Sequence, residues 1–102
     1  MKRRYTLAPE AARDLVQIWR YLKKESSQET ADRVESVIRD KFEYLAEFPR
    51  AGHWRRDLTR ADARFFPVYS YLIVYRPETS PLQIVSILHA SRDVPRILSQ
   101  RP

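Results

Sequence analysis

A chain of 102 residues with 43 % hydrophobic and 31 % charged side chains holds one core and one domain, spanning 1–102, and is apolar enough to fold. Its formal charge of +6 points to an acidic or phosphate-bearing partner, and the absence of cysteine excludes disulfides, thiolate metal sites and cysteine nucleophiles. No apolar run approaches the roughly 20 residues of a membrane span, and the basic start Met1-Lys2-Arg3-Arg4 lacks the apolar segment of a signal peptide, so the expected setting is a reducing cytoplasm without a membrane partner.

Residues 3–8 read as a short strand. Pro9 stands where a helix tolerates proline, at its first position, and Glu10 favours the positive helix end. Leu15, Ile18, Trp19 and Leu22 follow at helical spacing, with Ala11 and Ala12 ahead of them, which predicts a helix over about 9–24. Ser26-Ser27-Gln28-Glu29 has the capping-box form, Ser26 followed three later by Glu29. It predicts a second helix carrying Ala31, Val34, Ile38, Phe42 and Leu45 on its apolar face and stopping before Pro49. The short break makes the two an antiparallel hairpin. Val16, Val37 and Tyr44 lie off these faces; they pack against one another, or else the hairpin is not wholly solvent-facing.

Residues 49–62 read as a loop. It contains Gly52, the single glycine, whose expected role is a positive φ angle. Three strands follow, 63–68, 71–76 and 82–89, rich in β-branched and aromatic residues and divided by Tyr69-Ser70 and by Pro77-Glu78-Thr79-Ser80-Pro81. Short connections make them an antiparallel meander. Pro67 marks the first as an edge or a bulged strand. The last two are apolar on both faces, so helices are expected over one face and a partner over part of the other. A short helix over Val94–Ser99 ends the chain, with Asp93 as its cap.

Candidate chemistry is concentrated late in the chain. Residues 52–102 hold 8 basic side chains against 4 acidic ones, and every basic one is arginine, the residue that grips carboxylate or phosphate bidentately. One glycine and two distant histidines, His53 and His89, leave no phosphate-cradling loop and no metal cluster, so no cofactor and no metal is expected. Three constellations remain. Trp54 with Arg55 and Arg56 offers stacking and cations to a nucleic acid or a protein. Arg64 and Arg76 on adjacent strands form an anion grip if the register brings them together; surface salt bridges to Asp62 or Glu78 are the plain alternative. His89 with Arg92 and Asp93 offers an acid or base beside a cation, the elements of metal-free RNA cleavage, though a satisfied core histidine fits equally well. Tyr69, Tyr71 and Tyr75 are hydroxyl donors in this scheme, or simply packing.

The ordered set Leu7-Ala8-Pro9-Glu10-Ala11-Ala12-Arg13-Asp14-Leu15, Phe48-Pro49-Arg50-Ala51-Gly52, Arg64-Phe65-Phe66-Pro67-Val68, Tyr71-Leu72-Ile73-Val74-Tyr75-Arg76 and Ile87-Leu88-His89-Ala90-Ser91-Arg92-Asp93 resembles the ParE/RelE superfamily of bacterial type II toxins. The resemblance covers nearly the whole chain. It implies an α+β fold: an N-terminal strand, a helical hairpin, an antiparallel sheet completed by the meander, and here a short C-terminal helix. It also implies a cognate antitoxin that wraps the toxin, usually carries the DNA-binding domain, and alone brings the complex to operator DNA. Phe66-Pro67-Val68, Tyr75-Arg76 and the His89-to-Asp93 ending look more ParE-like, which implies inhibition of DNA gyrase without catalysis. The alternatives are a RelE-like nuclease that cuts mRNA on the ribosome, with Arg64, Arg76, His89 and Arg92 as catalytic candidates, and a non-toxic member that only binds its antitoxin. The chain lacks the late tyrosine typical of the nucleases. Trp54, Arg55, Arg56, Arg64, Arg76, Arg92 and Arg96 are the candidate contacts to target or antitoxin.

Overall fold

The computed structural model describes residues 4–101. Strand β1, Tyr5–Leu7, leads directly into helix α1, Pro9–Glu25, with Pro9 at its start and Lys23 and Lys24 in its last turn. Both placements suit the helix dipole and its unpaired end groups. Only two residues separate α1 from α2, Gln28–Glu47. The cap of α2 is one residue later than the capping box predicts: Ser27, not Ser26, accepts from the N–H of Thr30 at 3.0 Å. Glu29 therefore falls in the first turn rather than at the reciprocal position of a box. Ser27→Ala is expected to cost about 1 kcal/mol in chemical denaturation and Ser26→Ala a small fraction of that; equal losses would contradict this assignment.

The two helices are joined across their polar rim by Trp19, whose Nε1 donates to Asp32 at 2.8 Å while Lys23 lies over its ring. Their inner faces carry Ala11, Leu15, Ala31, Ile38, Phe42 and Leu45, all essentially buried. Ala12 is exposed. Val37 packs against this core, whereas Val16 and Tyr44 remain exposed.

The sheet is ordered β1-β4-β3-β2, where β2 is Arg64–Val68, β3 is Tyr71–Arg76 and β4 is Leu82–His89. The meander is antiparallel as expected, but β1 runs parallel to β4, so the sheet is mixed rather than antiparallel throughout. The long α1–α2 excursion permits this, since parallel neighbours need a crossover rather than a tight turn. Pro67 lies in β2, an outer strand, where its missing N–H interrupts no ladder. Register slips once in β4: Val74 faces Ser86 and Tyr75 faces Ile84, leaving Val85 as the extra residue of a bulge.

Each face of the sheet has its own core. Ile73, Tyr75, Leu82, Ile84 and Ile87 pack under α1 and α2. Phe65, Val74 and Leu88 form the second cluster with Val94, Ile97 and Leu98 of helix α3, Val94–Ser99, and with Leu58 of the long loop. Part of the face on which a partner was expected is thus covered from within the chain. Asp93 caps α3 by accepting from the Arg96 N–H.

Gly52 does not have a positive φ; no glycine does, and the one non-glycine residue with a positive φ among the described residues is Tyr69, at 53°. Gly52 is needed for space instead. A Cβ there would lie 2.5 Å from the Tyr75 hydroxyl, 2.8 Å from its ring and 2.9 Å from the Phe65 carbonyl oxygen. Tyr69 occupies the two-residue turn between Val68 and Tyr71, where the twist of the strands demands a positive φ at the first turn position.

Candidate functional site

The arginines of the loop and of β2 are mostly occupied within the fold. Arg64 donates to the Gly52 carbonyl at 2.8 Å and to that of Arg50 at 3.4 Å. Its guanidinium also lies 4.5 Å from the centre of the Trp54 ring, with Arg56 at 4.9 Å. Arg56 in turn donates to the carbonyls of Arg60 and Ala61. Arg55 is held bidentately by Asp57, at 2.9 and 2.8 Å, and this pairing holds the Asp57 carboxyl below its usual range. Beneath them the Tyr75 hydroxyl donates to Pro49 O at 2.7 Å and accepts from Gly52 N at 2.8 Å. The cluster around Trp54 therefore fastens the loop to the sheet.

Register separates the remaining candidates. Arg64 faces Tyr75 across the β2–β3 ladder, so Arg76, the next residue, projects from the opposite face and the two form no common grip. Neither pairs with Asp62 or Glu78 among the described residues. His89 faces Tyr71 at the other end of β3, four residues or about 13 Å along the strand from Tyr75. Arg92 lies in the turn beyond His89, and Arg96 on the exposed side of α3.

His89 and Arg92 belong instead to a cleft of about 770 Å³ between α1 and the far end of the sheet. Its floor is apolar, with Ile18, Leu22, Val34 and Ile87. Its rim is Tyr21, Tyr69, Tyr71, His89, Ser91 and Arg92. Tyr21 and Tyr69 are 61 % and 59 % exposed. His89 Nδ1 accepts from the Ser91 N–H at 3.1 Å and sits 2.6 Å from its hydroxyl. In the neutral ring the proton is thereby placed on Nε2. The Tyr71 ring meets the His89 ring edge-on, and burial, with Tyr21 nearby, pushes the Tyr71 phenol up from its ordinary value. The cleft offers flat amphipathic rings, the Arg92 cation and an apolar floor, the composition of protein-contact hot spots.

The wall of the cleft is braced by a network that reading the sequence did not find. Strand β1 stops at Leu7, opposite Ile84, so the N–H of Ile87, on the side of β4 away from β3, has no strand beside it. Asp14 of α1, 4 % exposed, accepts it at 2.9 Å. Arg101 grips the same carboxylate at 2.7 and 2.9 Å and donates to the buried Ser86 hydroxyl at 2.8 Å. The Arg101 guanidinium is raised further by Asp14 and stays charged at every working pH. An acidic residue on an apolar helical face, Asp14 one before Leu15, was the available signal; its partner 87 positions away had none.

A sequence profile described as the ParE toxin of type II toxin-antitoxin system, parDE, matches residues 5–94. This chain belongs to the ParE toxin family. The family match runs from β1 to the first residue of α3, so it takes in the cleft and the Trp54 cluster and leaves Arg101 outside. No curated protein sequence matches the chain. Among solved structures, this ParE-family chain is similar to one titled "Chromosomal ParDE TA system from P. aeruginosa", with a TM-score of 0.70 at 18 % identity, over 83 % of this chain and 92 % of that one. That likeness shows the shared fold. The ParE-family fold here thus combines a fastened arginine loop at one end of the sheet with an open tyrosine-rimmed cleft at the other.

Proposed function

We propose that this ParE-family chain is the toxin of a type II module in the cytoplasm, that it arrests growth by binding and inhibiting DNA gyrase, and that a cognate antitoxin, the part of the complex that holds operator DNA, neutralises it. One observation carries the choice of a binding over a cleaving toxin: the four catalytic candidates do not meet. Arg64 is tied to backbone carbonyls at one end of the sheet, Arg76 leaves the other face, and His89 with Arg92 stands about 13 Å away. In-line cleavage of RNA needs acid, base and cations around one phosphate. The cleft instead suits an apolar or aromatic anchor from a protein, with Arg92 free for a carboxylate.

Gyrase supercoiling with purified toxin tests this reading. Inhibition is expected, and Tyr69→Gly, which keeps the turn while removing the ring, and Arg92→Glu are each expected to raise the half-inhibitory concentration about tenfold or more. Normal supercoiling at saturating toxin, or cleavage of translated mRNA that disappears in His89→Ala, would overturn it in favour of the nuclease.

A further inference from the structure

Two exposed aromatic side chains take part in neither cluster described above. Tyr44 and Phe48, in the last turn of α2 and just after it, are 44 % and 51 % exposed. Their rings lie 5.2 Å apart, and Tyr44 is 5.8 Å from the partly buried Phe66 of β2. Adjoining exposed rings mark a contact surface, unlike apolar residues scattered singly. With the Pro77–Glu78 turn they wall a second cleft, of about 570 Å³, at the end of the sheet opposite the tyrosine-rimmed one.

The charge of this cleft is opposite to that of the chain. Glu47 and Glu78 stand in its lining, both exposed, and neither forms an ion pair among the described residues. Helix α2 ends here without a basic residue in its last turn, whereas α1 carries Lys23 and Lys24 in the same place. Pro49 has no N–H to offer the Leu45 carbonyl, and no described backbone bond reaches those of Ala46 and Glu47. The helix end therefore keeps its partial negative charge near two carboxylates. Arg50 is the one cation in the lining, and it pairs with neither glutamate.

We infer that this cleft takes the guanidinium of an arginine side chain presented by the protein target of the toxin. A guanidinium satisfies both halves of the lining at once. Its flat face lies on an aromatic ring, and its edge donates to a carboxylate in two parallel bonds. A metal ion fits poorly, since no third carboxylate or imidazole joins the two glutamates among the described residues. An apolar anchor leaves both carboxylates without a partner. The choice of a guanidinium stands on the cleft alone. Its source rests on the reading of the chain as a toxin that binds its target, to which it adds a second contact at the other end of the sheet.

The experiment has two arms. In the first, N-acetyl-arginine amide is titrated into the purified toxin while the Tyr44 and Phe48 ring protons are followed by NMR. Saturable shifts are expected, and N-acetyl-norleucine amide, uncharged and of similar length, is expected to move neither ring. The double variant Glu47→Gln with Glu78→Gln, both at exposed positions, is expected to weaken binding about tenfold or more. Arg50→Gln, which removes the competing cation, is expected to tighten it. Rings that do not move, or binding that survives the loss of both carboxylates, overturn the inference. In the second arm the same double variant is expected to raise the half-inhibitory concentration in gyrase supercoiling about tenfold or more. Glu43→Gln, exposed on α2 outside the cleft, should leave it unchanged. If the probe binds while the double variant inhibits as the wild type does, the target does not supply the arginine and that part of the inference fails. If the wild-type toxin leaves gyrase untouched, the gyrase reading fails, and the first arm still decides the cleft.

Discussion

Asp14→Ala is expected to lower the stability of the fold by about 3 kcal/mol, the loss found when one partner of a buried ion pair is removed. Two groups lose their acceptor at once, and a third loses the setting of its donor. Arg101 keeps a charge at a position where its side chain is only 20 % exposed, and the N–H of Ile87 is left without a partner. Ser86 loses the alignment of the guanidinium that donates to it. In urea the transition midpoint should fall by about 2 M, at the slope usual for small domains. That is a large fraction of the stability a chain of this size holds. Arg101→Ala is expected to cost less, because water reaches the vacated site near the C-terminus and Asp14 retains the Ile87 N–H. The double variant should lie close to Asp14→Ala alone, since the arginine has nothing left to grip. A single-variant loss within about 0.5 kcal/mol would mean that the carboxylate is solvated in place and that the network is ornamental.

The second large effect is expected at Gly52. Gly52→Ala places a methyl group against the Tyr75 hydroxyl and ring and the Phe65 carbonyl oxygen, all within 3 Å. Two of the three obstacles are held: the carbonyl belongs to the β2 backbone, and the tyrosine is fully buried. Relief requires the loop to lift, which breaks the bond from Gly52 N to Tyr75 and loosens the Arg64 grip on the Gly52 carbonyl. Overpacking together with a lost buried bond predicts about 3 kcal/mol. The change should also free Trp54, so its fluorescence should shift to the red in the folded variant. Tyr75→Phe removes the same bond without the clash and is expected to cost about 2 kcal/mol. Burial raises the phenols of Tyr75 and Tyr71 above their ordinary value. An acid raised in this way supports the fold fully below the unfolded phenol value of about 10 and loses that support as pH rises beyond it. Stability should therefore decline on alkaline titration, and less steeply in Tyr75→Phe. A decline of equal slope in both proteins would remove Tyr75 from the account.

Much of the architecture is legible without coordinates, because it follows from local periodicity. Apolar residues three and four apart in Leu15–Leu22 and Ala31–Leu45 set the two helices, and the β-branched and aromatic runs at 71–76 and 82–89 set the central strands. The Ser26-Ser27 break is too short for anything but a helical hairpin. Pro67 marks an edge strand through the missing donor alone. The family is legible too, since its motifs are ordered along the chain and the profile match spans the same stretch.

What each arginine does was decided only by the tertiary structure. Arg64, Arg76 and Arg101 are alike in sequence. Register sends Arg76 to one face and Arg64 to carbonyls of the loop, and chain closure delivers Arg101 to Asp14, 87 positions away. Gly52 shows the same limit: composition suggests a special φ, whereas the actual demand is room for a tyrosine that arrives from β3. Tyr69, by contrast, accepts the positive φ that a glycine was expected to take. The parallel placement of β1 and the bridge between His53 and Phe65 of β2 are likewise long-range outcomes. Sequence patterns report what neighbours within a few residues favour. Which cations stay free and which rings line a cleft depend on contacts whose cost in loop closure is met only when the whole chain has folded.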